Sequence, residues 1–296
     1  MDRPVTAMKV MVAGAGAMGS QIAMVTALAG HEVTLYDLDP TMLESSVAAL
    51  RGRMDSQVAK GRRTADDVDA AFARLTTTTA LTGDVDLVIE AIVEKLEIKR
   101  QFFTDVDALC GPGTILASNS SSFVPSAMAS ATERPDRFVN LHFFNPALVM
   151  RCVEVVRGPE TSDETAATAV AFVEQIGKLP VVLDKEIPGF VANRLLNAVR
   201  DEALALYEGG YAGIEAIDTA ARTALGYPMG PFELMDLTGV DIGYHTKMGR
   251  FAETGDPADA PSATVSALVE RGDLGRKTGR GFYLYDDTGA RVGKAI

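Results

Sequence analysis

The 296-residue chain contains no tryptophan, three histidines and only two cysteines. Cys110 and Cys152 form no CxxC pair and belong to no cluster with histidine. This usage argues against a disulfide framework and against a structural zinc site, so we expect no bound metal. Two isolated thiols fit the reducing environment of the cytoplasm.

Long hydrophobic runs are also missing. The longest apolar stretches, such as IAMVTALA, are far shorter than the roughly 18–20 residues that a membrane-spanning helix needs. The N-terminal stretch MDRPVTAMKV lacks the hydrophobic centre of a signal peptide, so we expect neither export nor a membrane partner. With 47% hydrophobic and 23% charged residues, the composition predicts a globular protein with a substantial core.

Positive charge is scarce, with 28 basic against 40 acidic residues and a formal net charge of −12. This balance argues against nucleic acid or an anionic membrane as the main partner. Residues 51–63 differ, because they hold five basic side chains and one acid. The segment is either a solvated helix face or a binding site for a phosphorylated small molecule. Its basic residues are Arg51, Arg53, Lys60, Arg62 and Arg63.

Short β-branched runs alternate with helical patterns through the first ~185 residues. This alternation predicts parallel strands joined by crossover helices. Seven runs are typical of strands: MKVMVAGAG, HEVTLYD, DLVIEAI, ILASNSSS, RFVNLHFF, CVEVVRG and LPVVLDK. The segment from Pro40 to about Leu75 is predicted to be helical, with a break near Gly61.

The pattern becomes helical after Lys185. Pro188 is placed to open a long helix, whose apolar face we expect to contain Val191, Leu195, Val199 and Leu206. Further helical segments follow near residues 213–225, 231–250 and 262–271. We therefore predict an α/β domain over residues 1–186 and an all-helical C-terminal domain over residues 187–296.

The stretch VAGAGAMG contains the pattern GxGxxG after a predicted strand and at the start of a predicted helix. Glycines here permit a tight turn through which a pyrophosphate can reach the helix N-terminus. Asp37 ends the next strand, where its carboxylate can bind ribose hydroxyls and repel a 2′-phosphate. The alternative is a purely structural turn. The three contexts together predict a Rossmann-type doubly wound domain that binds NAD rather than NADP, through Gly14, Gly16, Ala17, Met18, Gly19 and Asp37.

His142 lies near the end of a predicted strand, at the edge where doubly wound sheets bind ligands. Oxidation of an alcohol requires removal of its proton, and histidine suits this role near neutral pH. Glu154, twelve residues later on the next strand, could orient the ring. From spacing alone, a buried structural histidine is an equal alternative. We expect His31 to be solvated, and His245 has no evident partner.

The stretch SNSSS, residues 118–122, places hydroxyl groups at the end of another strand. Taken alone, it is equally consistent with a polar turn or helix cap and with a substrate contact. Its coincidence with a dinucleotide-binding pattern favours the substrate contact.

Seven motifs occur in a familiar order: GAGAMGSQIA, EAIVEKLEIKRQFF, ASNSSS, DRFVNLHFFNPALVMRCVEVV, IPGFVANRLL, GYPMGPFELMDLTGVDIG and GRKTGRGFY. Together they resemble the short-chain L-3-hydroxyacyl-CoA dehydrogenases over nearly the whole chain. The resemblance implies reversible NAD-dependent oxidation of an (S)-3-hydroxyacyl-CoA substrate, with 3-hydroxybutyryl-CoA as the expected short-chain case.

The resemblance also implies roles for individual residues. His142 becomes the general base and Glu154 its partner. Ser121 would bond the 3-oxygen of the substrate, and Asn193 would hold the substrate near the histidine. The positions that match cofactor contacts are Glu94, Lys99, Asn145 and Lys277. Lys60 lies in the segment that, in members of the family, approaches the phosphates of CoA. The helical domain of the family also forms its dimer interface, which implies a homodimer.

Three alternatives stay open at the level of sequence. A β-hydroxyacid dehydrogenase shares the glycine pattern, but it is expected to use a helix lysine where this chain has Asn193 and Arg194. The same chemistry on an acyl-carrier-protein substrate is a second possibility, since the pantetheine arm is shared. A non-catalytic NAD-binding protein is the third, although the joint presence of His142, Glu154, Ser121 and Asn193 argues against it.

Overall fold

The computed structural model describes residues 7–296. Residues 1–6 lie outside the described part, including the start of the predicted α/β domain and most of the N-terminal stretch discussed above. The chain divides into two compact units, Met1–Val191 and Ala192–Ile296. The division lies five residues beyond the boundary predicted between residues 186 and 187.

The first unit contains an eight-stranded sheet with the order β3-β2-β1-β4-β5-β6-β7-β8. Strands β2 and β3 lie on one side of β1, and β4 and the later strands lie on its other side. This is the arrangement of doubly wound folds and confirms the predicted fold class. The strands are β1 (Lys9–Ala13), β2 (Glu32–Tyr36), β3 (Leu75–Thr78), β4 (Leu87–Glu90), β5 (Ile115–Ser118), β6 (Phe138–Phe143), β7 (Cys152–Arg157) and β8 (Leu179–Leu183).

Two features of the sheet differ from the sequence prediction. Strand β3 pairs with β2 at the edge of the sheet, although no strand was predicted there and the helical segment was expected to end at about Leu75, where β3 begins. Strands β6 and β7 are antiparallel, whereas all strands were expected to be parallel. Eight residues connect β6 to β7. A parallel connection needs roughly a dozen residues or more, so this short link forces the chain to reverse.

Helices cover both faces of the sheet, and alternate residues of a strand face opposite sides. Val10 and Val12 of β1 pack in one apolar cluster, while Met11 and Ala13 pack in the other. The first cluster includes residues of α1, α2, α3 and α6, and the second includes residues of α4 and α5. The helices are α1 (Ala17–Leu28), α2 (Pro40–Ala59), α3 (Ala65–Ala73), α4 (Leu96–Leu109), α5 (Pro125–Ala129) and α6 (Asp163–Gln175).

The second unit is helical, as predicted, and it also contains a two-stranded antiparallel ladder that the sequence analysis did not include. Phe232, Phe282 and Tyr283 are fully buried at its centre. The elements are α7 (Ala192–Glu208), α8 (Ile214–Ala224), α9 (Pro231–Thr238), α10 (Val240–Thr254), α11 (Ala263–Arg271), β9 (Tyr283–Tyr285) and β10 (Arg291–Lys294).

Helix α7 begins four residues after the predicted start at Pro188. Gly189 and Phe190 have φ angles of 80° and 50°, which a right-handed helix does not accept. The predicted apolar face of α7 is also not a core face, because Leu195 is 64% exposed. None of the helices within residues 7–296 is both long enough and apolar enough to cross a membrane. Both cysteines are free thiols.

Candidate active site

The glycine-rich turn joins β1 to α1 with backbone geometry that side chains would block. Gly14 has φ +102°, and a Cβ there would lie 2.5 Å from the Ala91 carbonyl oxygen. A Cβ on Gly19 would collide with the carbonyl group of Gly14. Gly16 caps α1 without a side-chain hydrogen bond, and nothing lies within 4 Å of the place its Cβ would take. The N-terminus of α1 therefore has room for an anion beside it.

Asp37 follows β2 and reaches this turn. Its Oδ2 accepts a hydrogen bond from the Ala15 amide at 2.7 Å, and its Oδ1 accepts one from the Asp39 amide at 3.0 Å. Each carboxylate oxygen keeps a further lone pair, so the side chain can still bind a hydroxyl group. Asp37 thus ties the glycine turn to the end of β2.

A cavity of about 810 Å³ lies beside the turn. Among its described lining residues every charged side chain is acidic, which disfavours an added phosphate and suits a ribose. Its size and its glycine cradle fit a dinucleotide. The lining includes Gly14, Gly16, Asp37, Asp39, Glu97 and Asp105.

His142 and Glu154 meet across the antiparallel pair β6–β7. Their backbones are direct partners in the ladder, and Nδ1 of His142 lies 2.7 Å from Oε2 of Glu154. Both side chains are buried. The other carboxylate oxygen of Glu154, Oε1, accepts a hydrogen bond from the Val191 amide at 2.9 Å. The Phe144 and Phe190 rings pack around the imidazole, with centroids 4.5 and 5.4 Å away.

The other two histidines differ in environment. His31 was expected to be solvated, and that expectation is wrong: the side chain is fully buried, and its Nδ1 accepts a hydrogen bond from the Met8 amide. Burial lowers the pKa of His31, which keeps the ring neutral. It packs on Phe172 within the core. His245 is exposed on α10.

The loop after β5 carries Ser121, which is exposed. Two asparagines that the sequence analysis did not select hold this region against β6. Asn140 Nδ2 donates to the Phe123 carbonyl at 2.9 Å, and Asn119 Oδ1 accepts from the Phe143 amide at 2.9 Å. A buried polar residue within the apolar strand RFVNLHFF was the signal available for Asn140.

A buried ion-pair network lies under the same loop. Lys99 is 1% exposed, and its Nζ lies 2.5 Å from Glu90 Oε1 and 3.0 Å from Glu94 Oε2. Glu94 Oε1 accepts a hydrogen bond from the Ser120 hydroxyl at 2.6 Å. Ser118 donates to the remaining oxygen of Glu90 at 2.7 Å. Glu94 is therefore linked directly to the serine loop, and Lys99 reaches that loop through Glu94. Lys99 itself is enclosed by carboxylates.

Glu90 is the central residue of this network, and the sequence analysis did not select it. Burial raises the pKa of Glu90 although the Lys99 ammonium opposes the change. Burial also acts to raise the pKa of Glu94, but hydrogen bonding from Ser120 and the charge of Lys99 outweigh it and lower that pKa. An acid that ends the apolar strand LVIE was the available signal for Glu90.

The remaining predicted residues are Asn145 and Lys60 in the first unit and Asn193 and Lys277 in the second. Asn145 is exposed in the loop after β6. Lys60 is exposed just after the end of α2, outside the elements that hold His142. In the second unit, Asn193 lies in the first turn of α7, and Lys277 Nζ contacts the two carboxylate oxygens of Asp241 at 2.6 and 2.7 Å.

A glycine turn before a helix, an acidic cavity beside it and a histidine–carboxylate pair at the end of the sheet define a nicotinamide-dinucleotide-dependent dehydrogenase. Two family descriptions match the chain: "3-hydroxyacyl-CoA dehydrogenase, NAD binding domain" over residues 9–187, and "3-hydroxyacyl-CoA dehydrogenase, C-terminal domain" over residues 189–285. The chain belongs to the 3-hydroxyacyl-CoA dehydrogenase family and is an NAD-dependent dehydrogenase. The predicted family and cofactor are confirmed.

Known relatives cover most of the chain. It is 39% identical to a probable 3-hydroxybutyryl-CoA dehydrogenase of Bacillus subtilis, over 94% of this chain and 98% of that protein. The crystal structure of (S)-3-hydroxybutyryl-CoA dehydrogenase from Ralstonia eutropha superposes with a TM-score of 0.87 at 36% identity, over 94% and 99% of the two chains. The Escherichia coli 3-hydroxybutyryl-CoA dehydrogenase structure gives a TM-score of 0.88 at 37% identity, over 95% of this chain but 60% of that one.

Proposed function

We propose that the protein interconverts (S)-3-hydroxyacyl-CoA and 3-oxoacyl-CoA, with short-chain 3-hydroxybutyryl-CoA as its typical substrate. The observation that carries this proposal is the 2.7 Å contact between His142 Nδ1 and Glu154 Oε2 at the carboxyl edge of the sheet. Relatives that cover 94% of the chain carry the 3-hydroxybutyryl-CoA dehydrogenase name. In the oxidative direction, the substrate alcohol loses one hydride and one proton.

The proton passes to His142. Because Nδ1 is bound to the Glu154 carboxylate, the neutral ring carries its proton on Nδ1 and presents Nε2 as the acceptor. When the ring takes up the hydroxyl proton, the adjacent carboxylate stabilises the imidazolium. NAD⁺, when bound, supplies the acceptor for the hydride. In reduction, the same imidazolium returns the proton to the 3-oxygen.

The glycine turn and α1 would hold the pyrophosphate, and Asp37 would hold the adenosine ribose. Glu94 would contact the cofactor near the serine loop, with Asn145 at the nicotinamide end. Lys99, which is enclosed by Glu90 and Glu94, would act by orienting Glu94.

The substrate contacts come from exposed polar groups. Ser121 is exposed after β5 and would donate to the 3-oxygen. Asn193, in the first turn of α7, would bind the substrate's thioester region. Lys60 and the neighbouring exposed arginines would attract the phosphates of CoA, because they are the basic exception in an acidic chain. Lys277 would add a cofactor contact, as the family resemblance implies.

The direct test is loss of NADH absorbance with acetoacetyl-CoA, repeated with NADPH and with free acetoacetate. Turnover that requires both NADH and the CoA ester would support the proposal. Turnover only when the acyl group is attached to acyl carrier protein would show that this protein, and not CoA, carries the substrate. Tight NADH binding without turnover of either ester would indicate a non-catalytic protein.

We also propose a cytoplasmic homodimer that forms through the second unit. This unit exposes large apolar side chains on α9 and α10, among them Leu237 and Ile242, which is 57% exposed. Monomers seldom leave such a patch open to water. Sedimentation should give twice the chain mass of 31.4 kDa, and Ile242→Glu should lower it toward the single-chain value. The free thiols of Cys110 and Cys152 suit a reducing compartment.

A further inference from the structure

Three polar side chains form a row across the sheet beneath the loop that carries Ser121. Glu90 of β4, Ser118 of β5 and Asn140 of β6 are register partners on adjacent parallel strands. Register partners in a parallel sheet point to the same face, so the three side chains are neighbours. All three are fully buried. They must therefore find their hydrogen-bond partners within the protein.

Asn140 binds the serine loop on both sides of Ser121. Its Nδ2 donates to the Phe123 carbonyl at 2.9 Å and lies 3.5 Å from the Ser120 carbonyl. Carbonyl oxygens only accept, so the amide must turn its NH₂ group toward them. Within residues 7–296, the buried Oδ1 of Asn140 has no hydrogen-bond partner. An unpaired buried oxygen costs free energy, so what Asn140 contributes at this position is its N–H donors.

The two residues that Asn140 contacts also close the loop on itself. The Phe123 amide donates to the Ser120 hydroxyl oxygen at 2.9 Å, so Ser121 lies inside a closed turn. The Ser120 amide in turn donates to Ser118 Oγ at 3.1 Å. The backbone on either side of Ser121 is thus tied to the sheet, and Asn140 is the side chain that reaches both ends of the turn.

We propose that Asn140 is a positioning residue that sets the place of the Ser121 hydroxyl relative to His142. His142 follows Asn140 by two residues on β6, so both side chains point to the same face of the sheet. One strand therefore carries the histidine and the anchor of the serine loop, and both act on the same 3-oxygen. Asn140 itself is buried and does not touch the substrate. This inference rests on the proposed function, because it explains how the contact from Ser121 is aligned.

The test is a double-mutant cycle of Asn140→Leu with Ser121→Ala, in which kcat and KM are measured with NADH and acetoacetyl-CoA. Leucine has a similar branched shape but no N–H donors. Asn140→Leu alone should lower kcat by about 3- to 10-fold, the range for one hydrogen bond, with a smaller change in KM. The effect falls on kcat because Ser121 binds an oxygen whose charge changes in the transition state. In the Ser121→Ala background, Asn140→Leu should lower kcat by about twofold or less, since the group it aligns is already absent.

Val139→Ala is the matched control, because Val139 is buried on the same strand but packs in the cluster on the opposite face. It creates a packing defect and should leave kcat within about twofold in both backgrounds. Asn140→Ala, which removes the same donors, is carried through the same cycle in case Asn140→Leu does not fold.

The outcomes separate the inference from the proposed function. Equal falls in kcat with and without the Ser121 hydroxyl overturn the inference, because Asn140 would then act by another route. Native kcat in Asn140→Ala or Asn140→Leu also overturns it, as does native kcat in Ser121→Ala. If the native enzyme does not reduce acetoacetyl-CoA, the proposed function itself fails and the inference fails with it.

Discussion

His142 and Glu154 are direct backbone partners in the antiparallel strand pair β6–β7, and their side chains meet at 2.7 Å. Opposed residues in an antiparallel pair point to the same face, so the strand register alone brings the two groups together. The second oxygen of Glu154 binds the Val191 amide, which fixes the carboxylate from the other side. The imidazole is therefore held by backbone geometry rather than by a flexible loop.

Replacement of His142 tests the proton-transfer step. His142→Gln should lower kcat with acetoacetyl-CoA by about 10²- to 10⁴-fold, the usual contribution of a general base. NADH affinity, measured by fluorescence titration, should change little. The glycine turn and Asp37, which would bind the cofactor, follow β1 and β2 rather than β6. His245→Gln is the matched control, since His245 is exposed on α10. Near-normal turnover of His142→Gln would falsify the proposed mechanism.

Replacement of Asp37 tests cofactor preference. Asp37→Ala removes a carboxylate from a cavity whose charged lining is entirely acidic, and so reduces repulsion of a 2′-phosphate. The ratio of kcat/KM with NADH to that with NADPH should fall by about tenfold. Part of the fall in kcat/KM with NADH should arise because the Ala15 amide loses its hydrogen-bond acceptor. Asp66→Ala, on the exposed first turn of α3, should keep the native ratio. An identical ratio in Asp37→Ala would remove Asp37 from the ribose site.

Removal of Lys99 tests the buried network. Lys99→Met leaves Glu90 buried without its cation, which should destabilise the fold by about 3–5 kcal/mol in urea unfolding. Burial already raises the pKa of Glu90 in the folded protein, and loss of the ammonium raises it further. Because the folded pKa then exceeds the unfolded one, stability is greatest at low pH and falls as pH rises through the folded pKa.

The pH dependence distinguishes this charge effect from a packing defect. Lys99→Met should therefore be less stable at pH 8 than at pH 5, relative to the native enzyme. The double variant Lys99→Met/Glu90→Gln removes the buried charge and should recover much of the loss at pH 8. A penalty in Lys99→Met that is the same at both pH values would contradict the role of Glu90.

Asp236 organises the core of the second unit. Its oxygens accept hydrogen bonds from the Phe282 and Tyr283 amides and from the Tyr285 hydroxyl, all at 2.9 Å. Asp236→Asn would turn an amide NH₂ toward these donors, so unfolding free energy should fall by about 1–3 kcal/mol per lost bond. Asp287 is exposed and follows Tyr285 by two residues, so Asp287→Asn should have no measurable effect on stability. Equal stability of the two variants would show that the buried hydrogen bonds contribute little.

The glycine turn and the candidate pair His142 and Glu154 could be selected from sequence because their signals are local, although the proposed role of the pair rests on the family resemblance. GxGxxG followed by Asp37 requires only the order of strand, turn and helix. His142 and Glu154 are polar residues within apolar strands, which singles them out, but their antiparallel pairing became clear only in the structure. The strand LTTT was missed because its half-buried threonines carry no clear alternation, and its pairing with β2 provides the missing context.

Sequence by itself determined the α/β order, the glycine turn, the helical second unit and the family, because each depends on periodicity or on residues close in the chain. Tertiary structure alone decided that His31 is buried and that Lys99 is enclosed by Glu90 and Glu94. These facts depend on which distant segments come into contact. Burial and charge pairing are properties of that packing, so no local pattern around a single residue can reveal them.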